Sequence, residues 1–156
     1  MSKMKQNQTF EIYIKVNGDS KIGMGHVYRT LNLAMPLKQK HIKIIFLTKN
    51  KIVQQMVKKK FDCKLLSNNI EKEKNTISKI NSDVVILDEK DENPEILKIL
   101  KKSFSKIYAI DYVGKNKNLI DVGINMLYPK SGVTKYSFSG LNYAILNKNF
   151  TQKRKI

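Results

Sequence analysis

One cysteine, two arginines and no long apolar run are what the 156-residue sequence holds in short supply. The single cysteine, Cys63, can form no internal disulfide, which fits a reducing compartment. It reads as a small buried hydrophobe, since no histidine lies near it in sequence. No stretch of about eighteen apolar residues is present to span a bilayer, and the opening MSKMKQNQTF lacks the apolar core of a signal peptide. These absences predict a soluble, cytoplasmic protein. With only Arg29 and Arg154 as arginines, the net charge of +17 rests almost wholly on lysine spread along the chain. Such a charge would suit a nucleic-acid or anionic-surface binder. The paired Cys and His of zinc modules and an aromatic ribonucleoprotein box are missing, however, so nucleic acid is not the expected partner. Internal repeats and low-complexity linkers are also lacking, and the length suits one domain able to bury roughly two thirds of its unfolded surface. The expected organisation is a disordered 1–9, a single domain over 10–150 and a short basic tail at 151–156.

What is present alternates between two periodicities. FEIYIKV (10–16), IKIIFLT (42–48), CKLL (63–66), DVVILD (83–88), KIYAID (106–111) and VGINML (122–127) are short β-rich runs. Between them, HVYRTLNLAMPLKQK (26–40) sets Val27, Leu31, Ala34 and Leu37 on one helical face. NKIVQQMVKKKF (50–61) places Ile52, Val53, Met56 and Val57 on one stripe, NIEKEKNTISKI (69–80) reads as a polar surface helix, and a last ordered piece falls near LNYAILNKNF (141–150). NPEILKILKKSF (93–104) has Asn93 to cap a helix and Pro94 at its first position. Pro36 should kink or end the first helix early. Apolar strands separated by amphipathic helices predict a doubly wound α/β fold with a mostly parallel sheet. Its ligand crevice would lie beyond the carboxyl ends of the strands, where the strand order reverses. Asn17, Thr48, Asp88, Asp111 and Asn125 close the predicted strands there; Asp and Asn also favour turns without any ligand.

The stretch SKIGMGHVYRTLNLA (20–34) puts two glycines, a histidine and an arginine just after the first strand. It begins like a dinucleotide fingerprint, but Tyr28 occupies the third glycine position, so a nicotinamide or flavin is not expected. No G-K-[ST] follows to make a phosphate-binding P-loop. What remains is a turn that aims backbone N–H groups and a positive helix end at the strand termini, where anions or developing negative charge are favoured. His26 sits at that helix start, and histidine exchanges protons near neutral pH. Arg29, three residues on, shares its side of the helix and offers a fork for phosphate or sugar oxygens. His41, among lysines at the far end, reads as a surface residue.

IGMGHVYRTLNLA closely resembles the I-G-[TM]-G-H-x-x-R-x-x-x-L-A signature of the UDP-sugar hydrolase of pseudaminic acid biosynthesis and its spore-coat polysaccharide glycosyltransferase-like relatives. GLNYAILNKNF (140–150) resembles the segment that closes the N-terminal domain in that family, before the interdomain hinge. The resemblance implies a Rossmann-like N-terminal domain of a two-domain GT-B architecture. His26 would be the base that activates water at the anomeric carbon of a UDP-linked N-acetylated amino sugar, releasing UDP with inversion and without metal or cofactor. Gly23, Met24 and Gly25 would lie against the sugar and diphosphate, Arg29 would orient the loop or an anionic group, and Asn17, Asp88 and Asp111 would complete the substrate site. The sequence departs from the family pattern at Lys15 and Asn17, where R-x-D is common, at Lys90 in place of a tyrosine, and at Tyr112 in place of the second of two aspartates.

The same resemblance implies a C-terminal nucleotide-binding domain, either missing from this chain or supplied by a separate partner. Two functions therefore stand beside each other: the sugar-side domain of a UDP-sugar hydrolase or related glycosyltransferase, and a non-catalytic basic module that recruits an anionic glycan, nucleotide or partner chain.

Overall fold

The apolar runs become the central strands of a sheet, and the amphipathic segments become the helices laid over it. The computed structural model describes residues 10–19, 23–40, 42–127 and 134–146. The expected disordered start, the basic tail and His41 lie outside the described residues. In chain order come β1 (Glu11–Val16), α1 (Gly25–Lys38), β2 (Lys43–Thr48), α2 (Lys51–Val57), β3 (Asp62–Leu65) and α3 (Ile70–Ser78). β4 (Ser82–Asp88), α4 (Pro94–Ser103), β5 (Phe104–Ile110), β6 (Val122–Asn125) and β7 (Tyr136–Ser139) follow. Short 3-10 turns occupy Lys117–Leu119 and Leu141–Tyr143.

The seven strands form one sheet in the order β3-β2-β1-β4-β5-β6-β7, with every pair parallel. This is a doubly wound, Rossmann-like α/β fold. Alternate side chains of the central strands feed two apolar layers. Tyr13, Leu47, Leu87 and Ile107 pack with Ile77 of α3 and Leu97 of α4 on one face. Ile14, Phe46, Ile86 and Ile110 pack with Val27 of α1 and Val53 of α2 on the other. Covering both faces is what a parallel sheet requires. Strand order reverses between β1 and β4, whose register sets Val16 beside Asp88.

Asn93 caps α4 as expected, its side-chain oxygen accepting the Glu95 N–H at 2.8 Å, with Pro94 at the first helical position. Three elements differ from expectation. Pro36 does not end α1 early, because it falls in the last turn, where losing one backbone bond matters little, and the helix runs on to Lys38. Ile52, expected on the buried stripe of α2, is 70% exposed, because the seven-residue helix turns only Val53 and Val57 fully inward. β7 had no counterpart in the sequence reading. No helix among the described residues is long and apolar enough to cross a membrane.

Candidate functional site

The loop between β1 and α1 is closed by glycines with different tasks. A Cβ on Gly18 would stand 2.7 Å from Val27 Cγ2 and 3.1 Å from the Gly23 carbonyl oxygen, so only glycine lets the turn fold back on α1. Gly23 adopts φ +84°, in the left-handed region open to glycine, and donates its N–H to the Asp19 carbonyl at 2.8 Å. Added side chains at Gly23 and Gly25 would meet nothing within 4 Å, so this part of the turn borders open space. Met24 precedes the helix and packs against the α1–α2 core. Among the described residues no side chain caps α1, and no acidic residue lies in its first turn.

His26, in that first turn, turns its Nδ1 to Asp88 Oδ1 at 2.6 Å across the point where strand order reverses. A carboxylate accepting from Nδ1–H fixes the tautomer and ring plane, and it leaves Nε2 as the nitrogen able to take a proton. Asp88 is fully buried, while His26 keeps 16% of its side chain exposed. Arg29 locks the pair from one turn further along α1. Its Nε donates to Asp88 Oδ2 at 2.8 Å, Nη2 donates to Asp88 Oδ1, and Nη1 reaches Asp111 Oδ2 at 2.6 Å. Nη2 also stands 3.3 Å from His26 Nδ1, as a second donor sharing the same carboxylate oxygen. Burial opposes the Arg29 charge, but the two aspartates more than offset it and hold the guanidinium above its usual value. Asp111, at φ 49°, uses its other oxygen to accept the Met126 N–H at 2.7 Å and the Leu127 N–H at 2.9 Å.

A second charged cluster lies on the opposite face of the sheet at the same end. Lys15, fully buried, donates to Glu89 Oε1 at 2.9 Å and to Glu92 Oε2, and stands 3.5 Å from Glu73 Oε1. Burial disfavours the Lys15 charge, yet Glu89, Glu92 and Glu73 outweigh it and raise the ammonium well above the usual lysine range. Glu89 is raised by burial in spite of Lys15. Lys49 pairs with Glu73 Oε2 at 2.7 Å. Asn17 joins this cluster rather than the histidine: its Nδ2 donates to Glu89 Oε1 at 2.9 Å and its Oδ1 accepts the Lys49 N–H at 2.7 Å. A polar cleft of about 260 Å³ opens between Asn17, Gly18, Lys49, Asn50 and Asn68. A hollow of about 420 Å³ lies at the opposite rim, between Lys38, Lys43, Lys58 and Phe61, and His26, Arg29 and both aspartates are absent from its lining.

The residues singled out in the sequence thus divide. His26, Arg29, Asp88 and Asp111 form one bonded set, Gly23 and Gly25 border the space beside it, and Asn17 belongs to the lysine cluster. These bonds tie Asp88 directly, and Arg29 and Asp111 through it, to His26. Lys15, Glu73, Glu89 and Glu92 form a unit that the sequence signals only through a lysine set between Ile14 and Val16 in the first strand. Among the described residues no group of histidine, cysteine and carboxylate side chains is arranged to hold a metal ion.

Comparison with known proteins adds little chemistry. The chain is similar to the uncharacterized protein MJ1062 of Methanocaldococcus jannaschii, with 30% identity over 159 aligned residues. The match covers 93% of this chain and 32% of that protein, so the chain spans about a third of its relative. No family model and no solved structure matches the chain.

Proposed function

We propose that the chain is the sugar-side domain of a UDP-sugar hydrolase or related glycosyltransferase, acting on a UDP-linked N-acetylated amino sugar with His26 as general base. The observation that carries this reading is the bond from His26 Nδ1 to the buried Asp88, which leaves Nε2 to draw a proton from water or an acceptor hydroxyl. Attack of that oxygen at the anomeric carbon would expel UDP, and the leaving diphosphate would be favoured near the positive start of α1. Gly23 and Gly25 support the reading by bordering open space beside the histidine. Arg29 and Asp111 would act by holding Asp88, and through it the imidazole. A C-terminal nucleotide-binding domain, on this chain's natural continuation or on a partner, would complete the site.

The test is an NMR titration of the labelled chain with UDP-N-acetylglucosamine at low and high salt. Shifts centred on Gly23–Arg29 that persist at high salt and vanish in His26→Ala support the reading. Diffuse shifts that disappear with salt and ignore His26→Ala refute it and favour a basic recruitment module, since lysine contacts act through screened charge. In any preparation that cleaves the sugar nucleotide, His26→Ala lowers kcat by about 10²–10⁴-fold, the usual contribution of a positioned base.

A further inference from the structure

Among the described residues four helices cover a seven-stranded sheet, and the cover does not reach its β7 edge. The buried hydrophobic residues of α1 and α2 join one apolar layer and those of α3 and α4 the other, and none of the four packs over β7. Parallel strands are normally covered on both faces, yet all four residues of β7 are exposed. Tyr136 and Phe138 stand beside Val122 and Ile124 of β6, and Ile124 packs against the α1–α2 core. Phe138 therefore extends that apolar face outward past its helix cover. It meets the Tyr143 ring at 5.5 Å, and Leu141 beyond is 81% exposed.

The strand edge is open as well. Tyr136 donates its N–H to the Asp121 carbonyl and Gly140 to that of Asn125, both at 3.0 Å. Backbone groups alternate in direction along a strand, so Ser137 and Ser139 turn their N–H and C=O groups away from β6. No proline or bulge blunts this edge. Along the sequence, residues 122–156 contain six basic residues and no acidic one, and Lys135 sets its ammonium over the Tyr136 ring. A second copy would bring two such segments together on molecules of net charge +17, which repulsion opposes.

We propose that the open edge of β7 and the adjoining Tyr136–Phe138–Leu141 surface bind an acidic polypeptide, which adds a strand to the sheet and covers the aromatic face. A polypeptide fits better than a nucleic acid because the backbone groups of Ser137 and Ser139, which face away from β6 and pair with no other strand among the described residues, match another strand, and the aromatic side chains sit where alternate apolar residues of that strand would fall.

The experiment uses a fluorescent glutamate–tyrosine copolymer as probe, with polyglutamate, a thymidine oligonucleotide and phosphatidylglycerol vesicles as comparators. Affinity is read by anisotropy for the full chain and for Ser139→Pro and Tyr136→Glu, each checked for native circular dichroism. Ser139→Pro removes an outward N–H without touching a bond to β6. The expected result is preferential binding of the copolymer, weakened about tenfold or more by either substitution, as for loss of an interface anchor, and slowed amide exchange at Ser137 and Ser139 in the complex. Equal binding of polyglutamate, oligonucleotide or vesicles, unchanged affinity in both variants, or unprotected Ser137 and Ser139 amides would overturn the proposal.

Discussion

Replacing Lys15 with methionine removes the one cation at the centre of three carboxylates. The ammonium and the Glu73 side chain are almost wholly buried, and Glu92 and Glu89 keep only 4% and 14% of their side chains exposed. After the substitution Glu73 retains Lys49, Glu89 retains the Asn17 amide, and Glu92 retains the Asn93 N–H. Removing one partner of a buried ion pair costs about 3–5 kcal/mol, because the remaining charge is left uncompensated. For a chain of this length each kcal/mol lowers Tm by about 2–4 °C, so the loss at neutral pH is roughly 6–20 °C. The deficit depends on pH in a definite sense. Burial already raises the Glu89 carboxyl above its unfolded value of about 4.3, and loss of the Lys15 charge that opposes this raises it further. The Glu89 contribution is then intact below that value and lost as pH rises through the folded one. The gap between Lys15→Met and the unaltered chain should be small near pH 4 and widen toward pH 7. Lys15 itself, raised in the folded state, keeps its stabilising charge throughout that range. Thermal melts by circular dichroism at several pH values measure both. Equal Tm at pH 7, or a gap that does not change with pH, would refute the electrostatic account of the cluster.

Two glycine substitutions should behave oppositely in chemical denaturation. Gly18→Ala drives a methyl into Val27 and destabilises the chain by about 1–3 kcal/mol, the usual cost of overpacking, whereas Gly25→Ala enters open space and leaves stability within about 0.5 kcal/mol. Gly25→Ala should nonetheless weaken UDP-sugar shifts in the titration above. Burial pushes the Cys63 thiol up to about 11 although Lys58 opposes it, so the native chain should react with a disulfide reagent at pH 8 about a hundredfold more slowly than the unfolded chain. Equal rates would show that Cys63 is reached in the native state.

Much of the fold was legible because parallel strands announce themselves as apolar runs. Asp88 and Asp111 could be placed at strand ends from that pattern alone. Their partnership with His26 and Arg29 could not, since it depends on β4 lying beside β1 and β5 beside β4 in the sheet, which brings together side chains 59 to 82 residues apart in sequence. β7 escaped notice because YSFS is short, half serine and fully exposed, which removes the burial signal that marks a strand. The helix around Glu73 read as a polar surface element, and most of it is. That one of its acids turns inward depends on Lys15, more than fifty residues earlier, and composition carries no trace of it.

Asp111 has a mechanical consequence. One carboxylate grips both the Arg29 guanidinium and two successive amides, those of Met126 and Leu127. The strap of chain leaving β6 cannot slide without dragging the guanidinium or breaking its tether, and the guanidinium in turn holds the carboxylate that aims the imidazole. A displacement of Met126 and Leu127, on the β7 side of the sheet, would thereby reach a histidine near its middle. If a guest on that side stiffens the strap, it retunes the histidine's aim, and a ligand seated at the histidine must alter the guest's affinity by the same factor.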